Sequence, residues 1–223
     1  MAKAKIAYLC TECGAHSLKW AGQCPDCSAW NTLTETSIAA TKTGGTAAAA
    51  TTLEALPDDI EYRHTTGFAE FDRVLGGGLV PGAVVLLGGD PGVGKSTLLQ
   101  QVSAHLTQEL PVCYATGEES LRQIGQRSLR LGLDASKMNL LADVSIENVL
   151  ATASKCKAKV LVIDSMQTMV STDVPSAPGS VAQLRDGVGK IVQFAKQNDV
   201  AVFIIGHVTK EGAIAGPRVV EHM

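Results

Sequence analysis

The stretch from Gly88 to Leu99 reads GGDPGVGKSTLL, and it decides the class of fold. Within it Gly89, Asp90, Pro91, Gly92, Val93, Gly94, Lys95 and Ser96 match G-x-x-x-x-G-K-[ST] without a mismatch. An apolar run, Val84-Val85-Leu86-Leu87, precedes it and suits a buried strand. Leu98, Leu99, Val102 and Leu106 follow at helical spacing, so a helix is expected from near Lys95. Strand, glycine-rich turn and helix form the geometry a phosphate needs. The glycines let successive N–H groups point inward, and the helix N-terminus adds a positive field. Lys95 has the reach for the β- and γ-phosphates, and the Ser96 hydroxyl suits Mg²⁺. With Thr97, these residues form the expected ATP-binding segment.

Downstream, apolar strand candidates alternate with helical patterns. The strands are expected at 84–88, 112–116, 138–142, 160–164 and 200–206, and the helices at 96–109, 119–131, 146–156 and 181–197. Such alternation implies an α/β fold, a mostly parallel sheet with helices on both faces. Its chemistry should gather at the carboxyl ends of the strands. Val160-Leu161-Val162-Ile163-Asp164 is an apolar strand closed by a carboxylate, suited to the Mg²⁺ ion or a water in its shell. Glu118 and Glu119 follow the strand 112–116. Glu118 is expected to be the general base for the attacking water and Glu119 to support it; a plainer reading has both favouring the next helix start. His207 follows the strand 200–206 and is placed to sense the γ-phosphate. The loops 166–180 and 208–218 lie directly downstream and are candidates for a nucleotide-controlled binding surface, with Lys210 and Arg218 as candidate phosphate contacts; ordinary solvated loops are the plainer reading. Solvated faces account for the basic residues Arg122, Arg127 and Arg130, and Cys113 and Cys156 read as packed thiols.

Toward the N-terminus the chemistry changes. Cys10-x-x-Cys13 and Cys24-x-x-Cys27 are two matched knuckles, the spacing of a tetrahedral Cys₄ zinc site within a module at 1–32. Redox pairs or disulfides are the rival readings, and His16 is a possible substitute ligand. Trp20 and Trp30 are expected to cap the site, with base stacking as the alternative. Residues 33–56 are poor in bulky apolar side chains and read as a flexible linker, with the nucleotide core occupying 57–223. In that core a short helix around Phe71 and Val74 should end at Gly76-Gly77-Gly78.

The net charge is −3, which is no electrostatic signature of nucleic-acid binding, although a local basic groove can work inside an acidic protein. No apolar run reaches the length of a membrane span and no signal core opens the chain, so a cytosolic protein without membrane contact is expected.

Taken together, the chain resembles the RadA (Sms) family of bacterial RecA-related DNA repair proteins. The resemblance rests on Tyr8-x-Cys10-x-x-Cys13-Gly14, on Trp20-x-Gly22-x-Cys24-Pro25-x-Cys27-x-x-Trp30-Asn31-Thr32, and on Gly76-Gly77-Gly78-Leu79-Val80-Pro81-Gly82. The phosphate-loop segment, Gly117-Glu118-Glu119-Ser120 and Gly206-His207-Val208-Thr209-Lys210-Glu211-Gly212 complete it. It implies a RecA-like P-loop ATPase core using ATP and Mg²⁺, preceded by a Zn²⁺ module. It further implies binding to single-stranded DNA and branched recombination intermediates, helicase action that promotes branch migration, a homo-hexameric ring and cooperation with RecA. Family members continue beyond the position of Met223 into a Lys-Asn-Arg-Phe-Gly motif and a Lon-protease-like domain, so an N-terminal portion is expected. The competing reading is a nucleotide-switched regulatory or assembly ATPase that does not act directly on DNA. RecA-like clock ATPases resemble the core but lack the Cys₄ module.

Overall fold

Which strand ends meet decides where the chemistry sits, and hydrogen-bonded register answers that. The computed structural model describes residues 5–38, 52 and 62–207. The chain divides into two units, Met1–Tyr62 and Arg63–Met223.

In the first unit, β1 (Lys5–Cys10) is the centre of a three-stranded antiparallel sheet, flanked by β2 (His16–Ser17) and β3 (Leu33–Ile38). The expected linker start at 33 is therefore corrected. Residues 33–38 pair with β1 along its whole length, from Cys10↔Leu33 to Lys5↔Ile38, because Leu33 is buried beside Cys10 and Cys24. Residues 39–51 and 53–61 of the expected linker and core start lie outside the described residues.

The second unit begins with α1 (Ala69–Val74), which ends where expected, before the glycine run. The core then alternates as β4 (Val84–Gly89), α2 (Lys95–Leu106), β5 (Val112–Thr116), α3 (Leu121–Arg130), β6 (Asn139–Ala142), α4 (Ile146–Lys155), β7 (Val160–Asp164), α5 (Val181–Asn198) and β8 (Ala201–His207). The five strands are all parallel, in the order β4-β8-β7-β5-β6.

Period-two alternation feeds two separate cores. Cys113, Ala115, Leu161, Ile163, Val202 and Ile204 face α4 and α5, meeting Ile146, Val149, Leu184, Val188 and Ile191. Val112, Tyr114, Val160, Val162, Phe203 and Ile205 face the other way, toward Leu99, Val102, Leu106 and Ile124. Helices thus cover both faces, as a buried parallel sheet requires. One departure concerns β4, expected to be a buried strand. Its residues Val84–Leu87 are half-buried, because among the described residues β4 is an edge strand with β8 as its one neighbour.

Packing between α4 and α5 depends on Gly187. A Cβ there would lie 2.3 Å from Ile146 Cδ1 and 2.6 Å from Met166 Cε, both on buried side chains. Gly187→Ala is expected to destabilise the second unit by about 1–3 kcal/mol through overpacking, read as a lower urea midpoint. An unchanged midpoint would show that Ile146 and Met166 can yield.

Candidate nucleotide and metal sites

The register lines up the carboxyl ends of four strands. Gly89 pairs with His207, and Thr116 pairs with Asp164, with β8 and β7 adjacent between them. The phosphate-loop residues, His207, Asp164 and the Glu118–Glu119 pair therefore share one end of the sheet. Pro91, Gly92, Gly94, Lys95, Ser96, Thr97, Glu118, Glu119 and His207 line one pocket there, joined by Arg127.

The loop takes its shape from two glycines. Gly92 and Gly94 have φ of 84° and 100°, and nothing lies within 4 Å of where a Cβ would stand, so backbone conformation is what demands glycine at both. Gly94 caps α2 without a side-chain hydrogen bond, so the first N–H groups of that helix are left for an anion. Lys95 is buried, and its Nζ donates to the carbonyls of Gly89 at 2.7 Å and Asp90 at 2.8 Å. Phosphate oxygens are acceptors of the same kind.

Asp164 is buried at the end of β7. Burial pushes its carboxyl above the usual range, aided by the nearby Glu118 and Glu119, while hydrogen bonds from Tyr114 and Ser96 oppose the rise. Tyr114 Oη donates to Asp164 Oδ2 at 2.7 Å, and burial drives the Tyr114 hydroxyl far up, keeping it a donor. A cation held by Ser96 and Asp164 would reverse the penalty on the carboxylate. Those two residues fit Mg²⁺ by donor type.

Glu118 and Glu119 precede α3. The helix is capped by Ser120 with Gln123 in a reciprocal capping box, and its first turn holds no acidic residue. Helix capping thus does not explain the two glutamates, which the Thr116 hydroxyl pins by accepting both backbone N–H groups. They then diverge. Glu118 Oε1 accepts from the Ser165 hydroxyl and lies 3.0 Å from His207 Nε2. Glu119 forms an ion pair with Arg127. The solvated-face reading of Arg127 is thereby corrected, since its side chain is 13% exposed against the phosphate pocket.

The loop after Asp164 is also not a free solvated segment. Met166 and Met169 are buried, and Gln167 Nε2 donates to the His207 carbonyl at 3.3 Å. Further along, the buried Gln183 side chain accepts from Ser171 N–H and donates to the carbonyls of Ser171, Val174 and Ser176. Lys190 adds bonds to Ser171, Glu147 and Asp173. Burial alone would raise the Glu147 carboxyl, but Lys190 and its hydrogen bonds bring it down to about 2. The loop 208–218, with Lys210 and Arg218, lies outside the described residues.

In the first unit the sulfurs of Cys10, Cys13, Cys24 and Cys27 all lie within 4.8 Å of one another, with Cys10–Cys27 at 3.7 Å and Cys13–Cys24 at 3.6 Å. A tetrahedron with zinc–sulfur bonds of about 2.3 Å has sulfur–sulfur edges of about 3.8 Å, so these residues fit one tetrahedral ion. Burial pushes the Cys10 and Cys13 thiols up; hydrogen bonding to Thr32 and to backbone N–H groups brings Cys10 down to about 6, while Cys13 stays up at about 12. The His16 side chain lies outside the described residues. The expected tryptophan cap is absent: Trp20 and Trp30 are 60% and 69% exposed, and small residues such as Ala15 and Ala21 pack against the cysteines instead. In the second unit, burial pushes Cys113 up to about 12, in keeping with a packed thiol.

Tyr114, Arg127 and Ser165 were absent from the sequence-derived site. Tyr114 alone had a visible signal, a hydroxyl within an otherwise apolar strand.

A five-stranded parallel sheet, a phosphate loop on its edge strand and carboxylates at the strand ends define a RecA-like P-loop ATPase core. The AAA domain model matches residues 49–213, and the chain belongs to that family. A rubredoxin metal binding domain model matches residues 8–35, over the four cysteines. Across its whole length the chain is similar to DNA repair protein RadA from Pseudomonas aeruginosa at 52% identity. Identity is 48% to the Escherichia coli RadA and 45% to one from Streptococcus pyogenes. The chain spans about half the length of these relatives, 51% of each. Among solved structures, a KaiC-like protein from Pyrococcus horikoshii superposes with a TM-score of 0.60 at 23% identity, over 73% of this chain and 77% of that one. The resemblance read from the sequence thus holds, as does the fold class. No helix among the described residues is long and apolar enough to cross a membrane.

Proposed function

We propose that the chain is the ATPase portion of a DNA repair protein that hydrolyses ATP with Mg²⁺ and couples hydrolysis to single-stranded DNA. In the longer protein it acts as a helicase that promotes branch migration of recombination intermediates, in a cytoplasmic homo-hexamer that works with RecA. Lys95 and Ser96 bind phosphate and Mg²⁺, Asp164 completes the metal shell, Glu118 activates water, and residues 89–97 cradle the nucleotide. Zn²⁺ occupies the four cysteines. One observation supports coupling above the rest. Glu118 touches Ser165 and His207, which immediately precede the two loops, so a γ-phosphate beside Glu118 would bear on the residues from which both loops start. Lys210 and Arg218 then supply DNA phosphate contacts.

The test is ATP turnover of the longer protein with and without single-stranded DNA, beside DNA anisotropy at several salt concentrations. Lys210→Ala is expected to weaken DNA binding and lower the salt slope by roughly 0.7, leaving ATP binding unchanged. With His207→Ala, DNA binding persists but no longer responds to a non-hydrolysable ATP analogue. Turnover indifferent to DNA would favour the regulatory reading.

A further inference from the structure

We propose that Arg127 is a ligand of the nucleotide's phosphates, and that Glu119 holds this arginine ready instead of attacking or activating water. The proposal rests on the reading of the strand-end pocket as a nucleotide site. It starts from an incomplete ion pair. Arginine and carboxylate normally close a two-pronged fork when the pair is structural. Here one guanidinium nitrogen, Nη2, meets Glu119 Oε1, while Arg127 Nη1 and Glu119 Oε2 are buried with no hydrogen-bond partner among the described residues. A buried guanidinium N–H without a partner is costly, and phosphate is the acceptor whose geometry suits it.

The helix that carries Arg127 is locked onto the phosphate-loop helix. Gln100 of α2 is fully buried, and its Nε2 donates to Ile124 O at 2.7 Å and to Ser128 Oγ at 2.5 Å. Ile124, Arg127 and Ser128 are spaced to share one face of α3, so this bond directs that face toward α2. Arg127 accordingly lines the same pocket as Lys95, Ser96 and Thr97. Its charge also reaches the Tyr114 hydroxyl, one hydrogen bond from Asp164.

Charge balance points the same way. Glu118, Glu119 and Asp164 concentrate carboxylates at this end of the sheet, and among the described residues Lys95 and Arg127 are the Lys and Arg side chains that line the pocket. Lys95 rests on two loop carbonyls and Arg127 on one carboxylate oxygen. Lys95 is placed to exchange its carbonyls for phosphate oxygens, and Arg127 to add one through Nη1 while Nη2 keeps Glu119. Glu119 thus stays beside the cation, so no unpaired charge is stranded.

Calorimetric titration of the whole chain with the slowly hydrolysed analogue ATPγS and Mg²⁺ tests this. Arg127→Gln is expected to weaken binding by about tenfold to a hundredfold, the worth of hydrogen bonds to a charged group. Arg127→Lys should fall between it and the wild type, because charge is kept and the fork is lost. Glu119→Gln should bind as well as wild type or tighter, since the amide oxygen still accepts from Arg127 and holds it while an anion is removed. Melting temperatures with and without nucleotide separate binding from folding. A purely structural arginine lowers both and leaves the nucleotide-induced rise intact, whereas a phosphate ligand shrinks that rise. Wild-type binding by Arg127→Gln, beside loss of binding by Lys95→Ala, would overturn the role of Arg127 and spare the site. Loss in Glu119→Gln as large as in Arg127→Gln would overturn the holding role. Failure of the wild-type chain to bind nucleotide at all would overturn the site itself.

Discussion

Zinc removal, by a strong chelator or by Cys24→Ser, is expected to unfold residues 5–38 and leave residues 63–207 folded. The reason is the size of the first unit's core. Its buried cluster is Cys10, Cys24 and Leu33, with Tyr8, Cys13, Ala15 and Ala21 partly buried around it. So small a cluster cannot offset the conformational entropy of the segment. Apparent binding energies of structural zinc are about 10–16 kcal/mol, larger than any other single contribution available there. The second unit has two extensive cores of its own and uses none of the four cysteines. Hydrogen exchange reads both units in one experiment: amides of β1 and β3 should lose protection on chelation while those of β5, β7 and β8 keep it. Elemental analysis should find one zinc per chain, lost in Cys24→Ser. Undiminished protection of β1 and β3 without metal would refute the zinc-dependent fold.

Lys95→Ala and Glu118→Gln are expected to fail at different steps. Lys95 is a buried cation whose partners are acceptors of the kind phosphate supplies, in the ground state as in the transition state. Its removal should therefore weaken nucleotide binding itself. Glu118→Gln keeps the shape and the contacts to Ser165 and His207 but loses the basic oxygen. Binding should persist while turnover falls by roughly 10²–10⁴-fold, the usual worth of general-base assistance. The measurement is single-turnover hydrolysis in the longer protein beside equilibrium binding. Unchanged turnover in Glu118→Gln would remove the base assignment.

Much of this architecture was legible because it is periodic or local. The limits of β5 and β7 fall where the apolar runs 112–116 and 160–164 place them, and the phosphate loop declares itself by residue type and spacing. What escaped depends on contacts between distant segments. Leu33–Ile38 has the composition of a linker until β1, more than twenty residues earlier, offers it a partner. Arg127 looks like one of several basic residues on α3, since its difference from Arg122 and Arg130 comes from Gln100 and Glu119 on other elements. Trp20 and Trp30 were expected to cover the cysteines on grounds of hydrophobicity, yet Leu33 from β3 fills that role. Burial assigned by residue type fails where a neighbouring strand arrives first.

The strand order carries a consequence for how the molecule is made. The phosphate-loop strand β4 pairs with β8 alone among the described strands, and β8 is the last of them to leave the ribosome. Synthesis proceeds from the N-terminus at about 5–20 residues per second, so residues 84–89 wait several seconds for residues 201–207. During that interval β5, β6 and β7 can assemble with their helices, but Gly89 has no sheet to anchor it and His207 does not yet exist. The nascent chain is therefore unable to hold nucleotide until β8 docks, and ATP can stabilise only a sheet that includes it.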